Sequence, residues 1–356
     1  MRRSAILRAP PISAIIRRGQ DDFLVEEIPL TEPEGEGEHL WLLIEKRGEN
    51  TDDLARRLAR ATGIPPAAVG YAGRKDKHAI ARQWFSLHLP GRDDPTAETL
   101  AESSLRILRQ ARHSRKLKVG ALRGNRFRLR LCDVTGNRDA VTERIQQIAM
   151  QGVPNYFGEQ RFGRAGGNLA RARAMFAGRP ERDRNRRSLY LSAARSALFN
   201  AILAERVRQH SWNCLLPGEA VLLDGSRSYF TATPGDAALD LRLADWDIHP
   251  SGALWGTGEP PSSGEARAIE HAVAADFQDI AAGLSAAGLR QERRPLRLRP
   301  SELTWGWEND GLSLVLDFSL PAGAFATTVL REIADYIDVG GRDPSGVVGT
   351  THEQAQ

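Results

Sequence analysis

Cysteine is nearly missing from this chain: Cys132 and Cys214 are the only two in 356 residues, and no CxxC spacing occurs. That excludes a thiolate metal site and an exported disulfide framework. A chain of this length can bury a large core without such staples, and length alone suggests two domains. Long apolar runs are missing too. Charged residues or prolines interrupt every one short of the about 18 residues a membrane span requires. The amino terminus MRRSAILRAPPISAIIRRG is free of acids, but Arg8, Pro10 and Pro11 break any apolar h-region, which argues against a secretory signal. These features predict a cytoplasmic protein with no membrane association.

Cofactor signatures are also absent. There is no GxxxxGK[ST] loop, no GxGxxG after a strand, no HExxH and no GxSxG. The eight histidines are scattered singly, so no metal site is expected. An enzyme built from this chain would work with side chains alone.

What is present is segregated charge. Between Ala101 and Arg130 there are ten basic residues and a single acid, Glu102, and a second basic stretch runs from Arg161 to Arg195. By contrast, Asp236 to Gly283 holds nine acids and only Arg242 and Arg267 as bases. Such a division suits a protein with one face turned to a polyanion. Arginine far outnumbers lysine, and its planar fork matches phosphates and base edges.

Periodicity predicts mixed elements. IIRR, FLVEEI and HLWLLIEK read as strands, and a helix starts with Thr51 as its N-cap and stops at Gly63 and Pro65. NRFRLRLC alternates strictly, which places Phe127, Leu129 and Leu131 on one face and Arg126, Arg128 and Arg130 on a basic one. Helices are expected at Asp139–Met150, Leu169–Ala177, Leu189–Arg208, Glu265–Gly283 and Pro321–Tyr336, and a strand carrying Leu312, Leu314, Leu316, Phe318 and Leu320 on one face. The Gly-, Ser- and Thr-rich tail after Gly340 is expected to be disordered. The fold class is α+β, with a domain made from both ends of the chain and another inserted between them.

Chemistry concentrates in YAGRKDKHAIARQWF, Tyr71 to Phe85, where Asp76 stands between Lys75 and Lys77 with Arg74 and His78 close by. A carboxylate set among cations is suited to act as nucleophile or electrostatic stabiliser at an anomeric carbon. A salt-bridged surface loop is the plainer alternative. This segment resembles the TruD family of tRNA pseudouridine synthases, whose hallmark is GxKD[KR]HA followed by a Q-W pair. DFLVEE, ARHSRKLKVGALRGNRF, VPNYFGEQRFGR, RDRNRRSLYLSAARSALFN and PAGAFATTVLRE also look like that family, in family order, so that the resemblance covers the chain from about Phe23 to Glu332.

The resemblance implies a pseudouridine synthase catalytic domain, with a mixed sheet and flanking helices, over 1–154 and 301–340, and an inserted α/β TRUD domain over 155–300. It implies cofactor-free isomerisation of uridine to pseudouridine at position 13, in the D-arm of tRNA. Separately from the resemblance, a monomer is expected, with no obligate protein partner evident. Asp76 matches the catalytic aspartate, which attacks or assists at C1′ of the ribose, through a ribosyl adduct or a glycal, while the detached uracil turns. Asn125 and Phe127 match the uracil-contacting pair, and Phe23 and Phe325 match positions of the substrate pocket. Lys75 and Lys77 would tune Asp76 or contact phosphate, and Arg161, Arg164, Arg184, Arg186 and Arg187 would hold the RNA backbone. Two basic domains would then grip the RNA on either side of a cleft and offset the cost of extruding a base. The basic stretches alone equally suit a non-catalytic RNA-binding protein or tRNA chaperone.

Overall fold

The computed structural model describes residues 9–96, 100, 105–233 and 235–340. The Gly-rich tail expected to be disordered lies outside the described residues. The described chain forms two compact units. One takes Ile12–Arg138, Ser301–Gly323 and residues 334–340; the other takes residues 9–11, Asp139–Pro300 and Ala324–Ile333. The second unit thus includes two helices, Arg138–Gln151 (from Asp139) and Ala326–Ile333, that the sequence-expected division places in the first. Arg144 joins these two helices by donating to the Glu332 carbonyl at 2.8 Å.

A mixed sheet of ten strands dominates the first unit. In chain order its strands are β1 (Ile12–Ile16), β2 (Phe23–Pro29), β3 (His39–Arg47), β4 (Val69–Tyr71), β5 (Ile80–His88), β6 (Leu105–His113), β7 (Leu122–Gly136), β8 (Ser301–Trp307), β9 (Leu314–Pro321) and β10 (Ala334–Asp338). Their spatial order is β8-β9-β7-β2-β5-β3-β6, with β1 between β7 and β10 and with β4 on β5. β2 runs parallel to β5, and β1 parallel to β10.

Helix α1 (Thr51–Thr62) covers one face of this sheet. Its Leu54, Ala55, Leu58 and Ala59 fall at helical spacing and pack on Leu40, Leu42, Ile44, Phe85 and Leu87. Thr51 is the first helical residue rather than the cap; Asn50 occupies the cap position, and Gly63 ends the helix in the left-handed conformation. The alternation of β7 is as expected, with Phe127, Leu129 and Leu131 buried.

Three expected elements differ. The last helix spans only Ala326–Ile333, and Ala334–Asp338 is strand β10, paired with β1 from the opposite end of the chain. A five-residue strand whose partner lies more than 300 positions away leaves almost no local signal. The acidic helix breaks at Phe277 into Gly264–Asp276 and Gln278–Ala286. Leu312 precedes β9 and is exposed.

In the second unit, helices pack around the 25-residue helix Arg184–Arg208, whose Ala194, Leu198 and Ile202 form one buried stripe against Ala172, Ile280 and Leu284. Three small antiparallel sheets complete it. No helix among the described residues is long and apolar enough to cross a membrane.

Leu129 lies in register between Phe23 and Leu316 and is 1% exposed. Leu129→Ala is expected to destabilise the first unit by about 2–5 kcal/mol, read by urea denaturation, because the flanking strands cannot close on the cavity.

Candidate active site

Sheet topology brings three distant segments together. The chain leaves β1 at Ile16 and enters β2 at Phe23, and both strands run alongside β7, at Leu131 and Leu129 respectively. Parallel pairing then sets the end of β10, Asp338, beside Ile16, and the start of β5, Ile80, beside Leu24. The bend at Arg17, the end of β10 and the loop Ala72–Ala79 ahead of β5 therefore share one end of the sheet.

Arg17 is the residue that links them. Its φ of +56° is left-handed, unusual for a side chain with a Cβ, and its side chain is 8% exposed. Nη1 donates to Asp76 Oδ2, Nη2 to Asp338 Oδ2, and Nε to Asp338 Oδ1 at 2.9 Å, a bidentate pair on Asp338. Burial opposes the guanidinium charge, yet Asp338 and Asp76 outweigh it and push its pKa above the ordinary value. The other Asp76 oxygen accepts the His78 backbone N–H at 2.9 Å. The Asp76 side chain is left 29% exposed: clamped on two sides and open on a third.

The cations beside Asp76 in sequence do not supply its countercharge. Arg74 pairs with Asp52 at 3.0 Å, and Lys77 is exposed. Lys75 turns inward to Glu27 at 2.5 Å, with the two side chains 7% and 1% exposed. Burial pushes the Glu27 carboxyl above the usual range, against the pull of Lys75. Of the two lysines expected to serve the site, one is an internal brace and the other faces solvent.

The loop is held from below by Gln83. Its amide donates to the Gly73 carbonyl at 2.5 Å and accepts from the Thr51 hydroxyl at 3.0 Å, while that hydroxyl accepts the Lys75 backbone N–H at 3.1 Å. The first residue of α1 is thereby tied to the residue before Asp76.

The aromatic side of the site begins at Phe23. The Arg17 guanidinium carbon lies 5.3 Å from its ring centroid, and Phe23 meets Phe127 edge to face at 6.2 Å. Phe127 continues to Phe318 at 5.6 Å. Asn125, two residues before Phe127 on the same face of β7, pairs in register with Glu27. Its Oδ1 is buried with no hydrogen-bond partner, a state that calls for an explanation in a native protein. Asp76, Phe23 and Phe127 are thus connected through Arg17, with Asn125 on the same strand.

Other expected site residues fall in the second unit. Phe325 is part of the cluster of Tyr156, Phe157 and Phe199. Arg161 rests against the Phe157 ring at 5.3 Å and donates to Ser192 at 2.9 Å, and burial lowers its pKa. Arg184, Arg186 and Arg187 are exposed in the first turn of their helix, behind the N-cap Asp183. The Arg164 side chain lies outside the described residues. Sequence reasoning missed Arg17, Glu27, Gln83 and Asp338; of these Gln83 carried a signal as part of the Q-W pair and Glu27 as the last residue of DFLVEE. Among the described residues no group of three or more His, Cys, Asp and Glu is placed to hold a metal.

The family model described as tRNA pseudouridine synthase D (TruD) matches residues 3–182 and 180–333. The chain belongs to the TruD family. A tRNA pseudouridine synthase D from Xanthomonas axonopodis pv. citri (strain 306) is 49% identical over 348 residues, spanning 93% of this chain and 94% of that protein. A protein of the same name from Nitrosococcus oceani is 50% identical over 328 residues, 91% of each chain. The crystal structure described as a putative tRNA pseudouridine synthase D (TruD) from Methanosarcina mazei superposes with a TM-score of 0.74 over 93% of this chain and 95% of its own, at 21% identity, and so shares the fold.

Beneath the Asp76 loop of this TruD-family chain lies Lys46, fully buried, with its ammonium donating to the Glu49 carbonyl at 2.5 Å. Burial lowers its pKa from 10.5 to about 8, and the charges of Glu49, Asp76 and Glu27 offset this only in part. Between those two values the unfolded chain holds a proton that the folded chain has released, so stability rises with pH there. Wild type should therefore gain thermal stability relative to Lys46→Met as pH rises from about 8 to 10.5. A Tm difference that stays flat across that range would contradict the desolvation of Lys46.

Proposed function

We propose that the protein is a tRNA pseudouridine synthase, an isomerase that acts on uridine 13 of the D-arm with Asp76 as its catalytic carboxylate and without a cofactor. The observation that carries the reading is Asp76 itself. It is held by Arg17 and by a backbone N–H, and it is still partly open, in a chain that belongs to the TruD family. A carboxylate with a fixed cation behind it and a free approach in front can meet the C1′ of a ribose as the glycosidic bond breaks.

Isomerisation then requires the free uracil to stay in place while it turns, so that C5 replaces N1 at C1′. Asn125 and Phe127 suit that task. The unpartnered Oδ1 of Asn125 can accept the uracil N3–H, its amide can donate to a carbonyl of the base, and the Phe127 edge limits tilt. Phe23 supports both Phe127 and Arg17 and so keeps the wall and the countercharge in one frame. We assign the catalytic role to the unit with the ten-stranded sheet, and a backbone-gripping role to the inserted one. The three exposed arginines at 184, 186 and 187 support the latter. Cations in a first helical turn oppose the helix dipole at a cost of about 0.3–1 kcal/mol each, a placement that suits an anionic partner.

Asp76→Asn is expected to abolish tritium release from tRNA labelled at uridine C5 and to leave tRNA binding nearly unchanged. Release at the wild-type rate would remove Asp76 from the chemistry. Replacing Arg184, Arg186 and Arg187 together by Ala should weaken tRNA binding and lower the log–log salt slope by about 2–3, since each phosphate that a cation neutralises adds roughly 0.9. An unchanged slope would place these arginines off the RNA. The modified position is read by carbodiimide-adduct primer extension on tRNA from cells lacking the protein.

A further inference from the structure

The connection from β6 to β7, residues 114–121, is a short, largely exposed turn that is nonetheless firmly anchored. Leu117 is 3% exposed and packs with Trp41, Ala72 and Trp84, and its N–H donates to the Ser86 hydroxyl at 2.9 Å. The Trp41 indole N–H donates to the Arg115 carbonyl at 2.9 Å, and Lys116 Nζ to the Ala67 carbonyl at 2.5 Å. Gly70 on β4 makes the seat possible, since a Cβ there would collide with the Leu117 carbonyl oxygen. The Gly120 N–H donates to the Ala72 carbonyl at 2.7 Å, which fastens the turn to the segment that carries Asp76 four residues later.

From this rigid base Val119 projects with 81% of its surface exposed, the most of any large hydrophobic residue described. One exposed valine means nothing by itself. Its neighbours decide the matter. Along the same basic stretch four strand arginines are neutralised: Arg109 by Glu32 at 2.6 Å, Arg112 by Asp94 at 2.6 Å, Arg126 by Glu302 at 2.7 Å and Arg130 by Glu308 at 2.6 Å. Arg115, Lys118 and Arg123, around the turn, are exposed, and among the described residues none lies within ion-pair distance of a carboxylate. An apolar tip flanked in sequence by three exposed cations, of which, among the described residues, Arg115 alone feels a nearby carboxylate, that of Glu34, matches the inside of a nucleic-acid stack bordered by phosphates.

We propose that Val119 is a wedge that enters the base stack of the substrate RNA beside the reacting nucleotide, with Arg115, Lys118 and Arg123 on the adjoining phosphates. The proposal rests on the RNA-modifying function above and adds the device that keeps the target base out of its stack. Because Val119 faces solvent, its substitution leaves folding intact, which an unchanged Tm will verify. In single-turnover pseudouridine formation on folded tRNA at saturating protein, Val119→Gly is expected to be about tenfold slower or more, with Kd within about twofold of wild type, and Val119→Leu to restore the rate. A Val119→Gly rate equal to wild type, or an effect confined to Kd, overturns the wedge and leaves the synthase reading standing. Absence of pseudouridine with the wild-type protein defeats both.

Discussion

The Arg17 guanidinium, held between Asp76 and Asp338, is the interaction on which the site depends. It takes Asp338 by two nitrogens and Asp76 by a third, and it lies over the Phe23 ring, so one side chain joins a loop, two strand ends and an aromatic wall. Each carboxylate comes from a different part of the chain, and neither is close to Arg17 in sequence. The geometry holds because β1 is paired on one side with β7 and on the other with β10. A shift of one residue in either pairing would turn Arg17 or Asp338 to the opposite face.

Beneath that bridge is a second layer of buried polar groups. Lys75 with Glu27 and Gln83 with Gly73 and Thr51 brace the Asp76 loop from inside the protein, and Lys46 is buried on the Glu49 carbonyl. Buried polar groups of this kind add little net stability, but each is costly to leave unpaired, and so they admit few alternative loop conformations. The Asp76 oxygens keep a fixed direction as a result. Asn125 departs from this economy, since its buried acceptor has no protein partner.

Charge along the chain is a poor guide to charge at the surface. The basic face expected of β7 is largely cancelled by acids of β8, β9 and the turn between them: Arg126 meets Glu302, Arg128 approaches Asp317 at 3.8 Å, and Arg130 meets Glu308. These acids lie more than 170 residues further on, so counting along the sequence could not reveal the compensation. Among the described residues, exposed cations without an ion pair include Arg115, Lys118 and Arg123 around the start of β7 and Arg184, Arg186 and Arg187 in the first turn of the helix Arg184–Arg208.

The residues themselves determined a good deal. The alternation of β7, the amphipathic stripe of α1 and the α+β class follow from side-chain period and local stop signals, which act within a few residues and so can be read in one dimension. Asp76, Asn125 and Phe127 stood out as candidates because they sit in short motifs. The tertiary structure alone decided which cation faces Asp76, which lysine turns inward, and that the last helix gives way to a strand. Those outcomes depend on pairing between segments hundreds of positions apart, where the free energy comes from burial and sheet hydrogen bonds that no local pattern encodes.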